Sequence, residues 1–331
     1  MIERVDFKNF KALRDASLPL SQFTLIVGAN GSGKSTGLAA MLWLSDHGPH
    51  QTNGIRTVGV KEQDAVHLRF HWREENQTCL INVEWRFSNR AETDFGTIAG
   101  DGSKHHPRFI LQRARLFSLE ANAIAEPVQL QPNMELAPTG ANLAGVLDRL
   151  RDQHPERFEN LNQELTRWLP EFDQILFDTP GAGQRALVLR TREGHHQIKA
   201  ADLSQGTLIA LALLTLAYMP QPPSIVCLEE PDRGLHPRLL RDVRDALYRL
   251  AHPEGAHETR EPVQVIATTH NPYFLDLFRE HPEEIVIAEK VGLEAKFSRL
   301  SDRKDLDEIL ADAPLSEVWY SGVLGGVPAG T

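Results

Sequence analysis

Phe23-Thr-Leu-Ile-Val27 is apolar at four of five positions, the pattern of a strand buried on both faces. Ahead of it, Val5, Phe7 and Phe10 stand among polar residues, so residues 2–27 read as strands. Behind it, Ser35 to Leu44 sets Leu38, Met41 and Leu42 on one helical face. His67–Trp72 and Cys79–Phe87 alternate in strand fashion, and Ser88 to Pro107, rich in Gly, Ser and Asp, reads as loop. Arg115–Leu119 reads as a strand returning to the main sheet, and Pro127, Pro132 and Pro138 break up the segment after it. From Asn142 to Trp168, Leu143, Val146, Leu147, Leu150, Phe158, Leu161, Leu165 and Trp168 recur at helical spacing. Pro155 divides that stripe into two helices, and core packing accounts for it. Ile175–Phe177, Ala186–Arg190 and Gln197–Lys199 read as strands. After Asp202 follow a helix, a strand at Ile225–Leu228, a helix from about Pro237 to Leu250, a strand at Val263–Ala267 and a helix from Pro272. There is no internal repeat.

Length and composition narrow the class. The 331 residues suffice for one large core with an inserted subdomain, and 24% charged with 41% hydrophobic residues is ordinary for a soluble globular chain. The longest apolar run, Leu208 to Met219, is a buried helix rather than a bilayer span, and no secretory signal opens the chain. Cys79 and Cys227 have no metal-type spacing and read as buried thiols of a reducing cytoplasm, so a cytoplasmic location is expected. The net charge of −10 argues against strong nucleic-acid binding by this chain alone.

The chemistry is concentrated in short segments. Gly28-Ala-Asn-Gly-Ser-Gly-Lys-Ser-Thr36 fits G-x-x-x-x-G-K-[ST], follows a buried strand and opens a helix. By composition the pattern alone arises in about one chain of this length in a hundred, and the strand-to-helix context makes chance rarer still. Its glycines let backbone N–H groups turn around a phosphate, and the helix N-terminus adds positive potential. Lys34 can reach the β- and γ-phosphates, and the Ser35 hydroxyl can ligate Mg²⁺. Gly28, Asn30, Gly31, Ser32, Gly33, Lys34, Ser35 and Thr36 are therefore expected to hold ATP. Ile225-Val-Cys-Leu-Glu-Glu-Pro231 is an apolar strand ending in two carboxylates. Glu229 is assigned to the Mg²⁺ shell and Glu230 to polarising the attacking water. The His105-His106 and His195-His196 pairs, without Cys or acidic partners, read as exposed loop residues rather than a metal site.

Three further segments resemble ABC-type ATPases. Leu203-Ser-Gln-Gly-Thr207 is similar to the signature L-S-G-G-Q and opens a helix. Pro231-Asp-Arg-Gly-Leu-His-Pro237 is similar to the D-loop region, with Asp232 in the matching position. Thr268-Thr-His270 ends a strand and resembles the switch histidine. Their order, together with Glu-Glu-Pro, Gly-Leu-His-Pro and the opening Val-Asp-Phe-Lys-Asn-Phe-Lys-Ala-Leu, resembles the branch containing RecF, SMC proteins and OLD-type ATPases. Glu229 stands where Asp is usual, Gln205 where Gly is typical and Thr207 where Gln is typical.

The resemblance implies an α/β P-loop NTPase of ABC-ATPase type. A mixed-sheet core at 1–45 and 200–331 would carry an inserted β-rich and helical subdomain at 46–199. It implies a site shared by two copies, with Ser204, Gly206 and Asp232 closing over the partner copy's ATP, Glu230 as base, Lys34 on the phosphates and His270 as sensor. Gln112 is the candidate glutamine-loop ligand of Mg²⁺ beside Ser35 and Glu229, and Phe10 and Lys11 are base-stacking candidates by position. Sustained heptads are missing between Thr36 and Leu203. About 60 residues follow His270, fewer than the TOPRIM domain of OLD proteins requires. The expected function is a dimerising ATPase that regulates a separately encoded effector, a nuclease, in phage defence or a toxin-type system. Nucleic acid would be reached through that partner, and no membrane is involved. The alternatives are a RecF-like repair ATPase clamping DNA with Arg108, Arg113 and Arg115, and an ATP-fixed scaffold without turnover. Trp319-Tyr-Ser-Gly-Val-Leu-Gly-Gly326 is an apolar tail read first as packing on its own core and second as a partner dock.

Overall fold

The computed structural model describes residues 1–45, 56–57, 64–74, 77–85, 107–256, 258–292, 294–311 and 313–327. The Ser88–Pro107 loop reading falls almost wholly outside these residues. The chain opens with β1 (Ile2–Phe10), β2 (Leu13–Pro19), β3 (Phe23–Gly28), α1 (Lys34–Met41), β4 (Val66–Glu74), β5 (Gln77–Trp85), α2 (Pro107–Gln112) and β6 (Ala114–Phe117). It continues with α3 (Ala121–Ala125), β7 (Val128–Gln129), α4 (Leu143–Gln153), α5 (Pro155–Trp168), β8 (Phe172–Asp178), β9 (Gln184–Thr191), β10 (Gln197–Lys199) and α6 (Gln205–Tyr218). It ends with β11 (Ile225–Glu229), α7 (Leu240–Ala251), β12 (Gln264–Thr269), α8 (Pro272–Asp276), β13 (Ile285–Val291), β14 (Glu294–Arg299), α9 (Leu306–Ala311) and α10 (Leu315–Tyr320).

Two compact units emerge. The first comprises 1–116, 224–228 and 263–331; the second comprises 117–223 and 229–262. In the first unit a mixed sheet runs β14-β13-β3-β12-β11-β6. Strand β3 is parallel to both β12 and β13, and all six of its residues are buried. That is why its sequence does not alternate. β6 at the edge is the returning strand that the sequence predicts. The antiparallel sheet β2-β1-β4-β5 does alternate, and its inner face (Val5, Phe7, Leu68, Phe70, Ile81, Val83) joins Ile26, Leu38 and Met41 in one core. Gln264 stitches this unit together. Its Oε1 accepts from Ile2 N at 2.9 Å, and its Nε2 donates to Ile2 O at 2.6 Å and Ser21 O at 3.0 Å.

In the second unit α6 is buried on every side from Thr207 to Tyr218 and packs against α3, α5 and α7. Its end is clamped. Arg249 Nη1 donates to the Tyr218 hydroxyl at 2.7 Å, and Arg249 and Arg260 both donate to the Glu258 carboxylate at 2.6 Å. Burial pushes the Glu258 carboxyl up, but the hydrogen bonds and charges of the two arginines outweigh it and hold the group below its ordinary value of 4.5. Among the described residues, no helix is long and apolar enough to cross a membrane.

The sequence reading stops at the helix from Pro272, which is only five residues long. The chain goes on through β13 and β14, and the apolar run Ile285-Val-Ile-Ala288 was the available signal for β13. Pro237–Leu239 is a 3₁₀ turn leading into α7, because a proline is tolerated in the first turn of a helix but not further in.

Gln264→Leu leaves two buried backbone groups, Ile2 N and O, and the half-buried Ser21 O without their partner. It is expected to lower unfolding free energy by about 3 kcal/mol in urea titrations followed by tryptophan fluorescence. Glu258 ionises more readily folded than unfolded, so its contribution is present above about pH 4.5 and is lost as pH falls through the depressed folded value. Melting temperature below pH 4.5 should therefore fall more steeply for the wild type than for Glu258→Gln, measured by calorimetry across pH 3–6.

Candidate functional site

Strand β3 ends at Gly28, and the chain turns through Ser32 N→Ala29 O (3.2 Å) before α1 starts at Lys34. Gly33 caps that helix with φ 97°, a left-handed conformation that costs a side chain 1–2 kcal/mol or so. Lys34 is 7% exposed, and its ammonium donates to Gly28 O at 2.6 Å and Ala29 O at 2.9 Å. Ser32 is 2% exposed, and among the described residues its hydroxyl has no hydrogen-bond partner, an uncommon state for a buried polar group. Asn30, Gly31 and Ser35 are exposed and Thr36 half-buried. A buried ammonium, an orphan hydroxyl and the N–H groups of a helix start converge here. This donor set suits phosphate oxygens, and the exposed Ser35 hydroxyl suits a magnesium ion.

Strand β12 delivers a second group to the same edge. Thr269 is in register with Val27 on β3, so His270 and Gly28 leave parallel strands at one end of the sheet. His270 is exposed while Thr268 and Thr269 are buried. The turn is fixed by Asn271, whose N–H donates to Thr269 Oγ1 at 3.0 Å and whose Oδ1 caps α8 by accepting from Tyr273 N at 3.0 Å.

In the second unit the acidic pair follows β11. Glu229 ends the strand and Glu230 comes next, both half-buried. Glu230 has φ 47°, although it is neither glycine nor asparagine and precedes a proline, which disfavours helical conformations. Its carbonyl accepts from Arg233 N at 2.9 Å, closing the turn that carries the buried Asp232, and Arg233 Nη2 donates to Leu119 O at 3.0 Å. Ser204 is the N-cap of α6. Its hydroxyl accepts from Thr207 N at 3.1 Å and lies 2.8 Å from Thr207 Oγ1. A Cβ on Gly206 would lie 2.8 Å from Gly234 O, so the signature and D-loop segments sit backbone to backbone.

Other candidates fall elsewhere. Gln112 ends α2, half-buried, and its carbonyl accepts from Arg115 Nη1 at 3.1 Å. Phe10 is 0% exposed, edge-on to Trp43 and tilted against Phe7, so it is a core residue and cannot stack on a base; Lys11 is exposed beside it. Arg115 donates to the carbonyls of Gln112 and Ala114, and Arg113 is exposed. His105, His106 and the Arg108 side chain lie outside the described residues. His195 approaches Asp173 at 3.5 Å; among the described residues the only cluster of three metal-ligating types is His281, Glu283 and Glu284. Trp319 and Leu324 of the apolar tail are buried in their own unit.

Comparison with known proteins bears on this arrangement. Residues 105–276, a little over half of the chain, match the family described as "AAA domain, putative AbiEii toxin, Type IV TA system", and residues 1–97 match "AAA ATPase domain". The OLD nuclease of Thermus scotoductus is 23% identical over 93% of this chain and 66% of its own length. The DNA replication and repair protein RecF of Cronobacter sakazakii is 30% identical over 44% of this chain and 35% of its own. The chain thus spans less than two thirds of either relative. Among solved structures, the SMC head domain from Thermotoga maritima aligns with a TM-score of 0.49 at 18% identity, covering 90% of this chain and 98% of that one.

The left-handed Glu230 carries its own consequence. Glu230→Gly should remove the backbone strain and raise unfolding free energy by about 1 kcal/mol in urea titrations, while discarding the carboxylate.

Proposed function

We propose that this chain, which belongs to the AAA-domain family matched by residues 105–276 and is an ABC-type ATPase of the RecF/SMC/OLD branch, binds ATP with Mg²⁺ and hydrolyses it at a site completed by a second copy. The observation that carries the reading is the phosphate loop, with the buried Lys34 ammonium held on two carbonyls beside the unpartnered Ser32 hydroxyl at the start of α1. The proposed nucleotide-binding core is 1–45 and 200–331, with 46–199 inserted in it.

Lys34 exchanges its loop carbonyls for phosphate oxygens, and Ser32 gains the partner it lacks. Ser35, Glu229 and Gln112 are the proposed holders of Mg²⁺, which when bound neutralises charge on the phosphates. Glu230 accepts a proton from the attacking water as its oxygen bonds to the γ-phosphorus and the bond to ADP breaks. His270 donates toward the transferred phosphoryl group. Ser204, Gly206 and Asp232 of one copy face the ATP of the other, so the nucleotide holds two copies together until hydrolysis removes the shared phosphate. The assembly regulates a separately encoded effector, a nuclease, in phage defence; the likeness to an OLD nuclease and to a toxin–antitoxin family supports that role.

Glu230→Gln is expected to bind ATP within about threefold of wild type and lose at least about 100-fold in turnover, measured by phosphate release. Lys34→Ala should lose ATP binding. A Glu230→Gln protein with wild-type turnover would rule out that base. Purified from its native host with ATP and Mg²⁺, Glu230→Gln should bring down a stoichiometric second protein; nucleic acid alone would favour a DNA clamp.

A further inference from the structure

The apolar tail that the proposed chemistry leaves unused runs beneath the phosphate loop. Helix α10 is anchored to α8, the helix that follows His270: Ser316 N and Oγ donate to the two carboxylate oxygens of Asp276 at 2.7 and 2.5 Å. Leu315, Val318, Trp319 and Leu324 are buried, and Arg303 Nη1 holds Val323 O at 2.8 Å. The segment then passes under β13. Gly326 N donates to Glu289 Oε1 at 3.2 Å, and Gly326 is buried with φ 69°.

The approach at that point is backbone to backbone. A Cβ on Gly326 would stand 3.0 Å from Ile287 Cγ2, 3.2 Å from Ala288 O and 3.3 Å from Gly28 Cα. A Cβ on Gly28 would stand 2.2 Å from the same Ala288 oxygen. Two glycines from opposite ends of the sequence thus pack against one carbonyl, with no side chain between them to absorb a shift. Gly28 also presents the carbonyl that holds Lys34. Gly28 is paired with Ala288 in the sheet, and Gly326 adds a further close backbone contact to it.

We propose that Leu315–Gly326 is a clamp on the phosphate loop, with Gly326 as the positioning residue for Gly28, so that seating of the tail and nucleotide binding are coupled. The proposal rests on the reading that the loop binds ATP. Coupling of this kind is reciprocal: the nucleotide must stabilise the seated tail by the factor by which the seated tail favours the nucleotide.

The test uses the full chain and a non-hydrolysable ATP analogue with Mg²⁺. Hydrogen exchange read by mass spectrometry over residues 320–327 is expected to slow at least fivefold on adding the analogue to wild type, a response that a merely structural tail would not give. Gly326→Val should weaken the analogue at least tenfold in equilibrium dialysis. Arg303→Ala, which loosens the tail from its outer side without touching the loop, should weaken it about threefold to tenfold. Tyr320→Ser, which alters an 83% exposed side chain of the same tail, should leave affinity unchanged. Unaltered exchange over 320–327 in a wild-type protein that binds the analogue overturns the coupling, as does affinity within twofold for both Gly326→Val and Arg303→Ala. A wild-type protein that does not bind the analogue overturns the nucleotide reading itself, and the coupling with it.

Discussion

Everything in the first unit depends on a strand with no exposed face. β3 lies between two parallel neighbours and carries one polar side chain, Thr24, whose hydroxyl accepts from Ser21 N at 2.9 Å. A strand so enclosed cannot slip by one residue without burying polar groups on one side and voiding the core on the other. Its end at Gly28 is therefore fixed, and so is the point where backbone N–H groups begin to face outward. The glycine is required there because Ala288 O fills the space a side chain would need. The phosphate loop is thus a product of sheet packing before it is a sequence motif. The same packing brings His270 to that edge, through a register fixed by five residue pairs between β3 and β12.

The second unit works with strain and caps rather than with enclosure. Glu230 holds a left-handed backbone that costs about 1–3 kcal/mol, and the turn closed by Arg233 must hold it there. Strain of that size at an acidic residue on a strand end is the kind that persists when a side chain has to point in one particular direction.

Motifs whose chemistry is local were legible in the sequence. Strand–loop–helix at 23–44, the proline break at 155, and the apolar α6 follow from periodicity and from the few residues that tolerate each backbone conformation. Phe10 is a base-stacking candidate by position alone, and position says nothing about which way a strand residue faces: strict alternation from Phe7 would turn it outward, but Asn9, with φ 58°, interrupts the alternation and Phe10 packs inward opposite Leu13. The strands β13 and β14 went unread although Ile285–Ala288 is as apolar as β11. The tail's role was out of reach for a different reason. A Gly-Gly pair marks a close approach, but which backbone it approaches is a non-local fact, here some 300 residues away in the chain.

The departures of the signature from its family acquire a local meaning in the structure. Thr207, where glutamine is typical, sits with its hydroxyl 2.8 Å from Ser204 Oγ while its N–H donates to that same oxygen. Ser204 therefore has one acceptor position engaged in capping α6, worth about 1 kcal/mol, and a second contact to Thr207. A hydroxyl so engaged can still donate its own proton. With the Thr207 hydroxyl as donor of that pair, the serine proton is left for an acceptor such as a phosphate oxygen while the helix start stays intact. Thr207 is well suited to orient that proton, because its hydroxyl can serve as donor to Ser204 and leave the serine proton free to turn outward. Seated on Gly234 O through Gly206, the whole segment is a rigid start to a buried helix. That rigidity is what a phosphate contact made across two copies of the chain would need, since the entropy of ordering it has been met in folding.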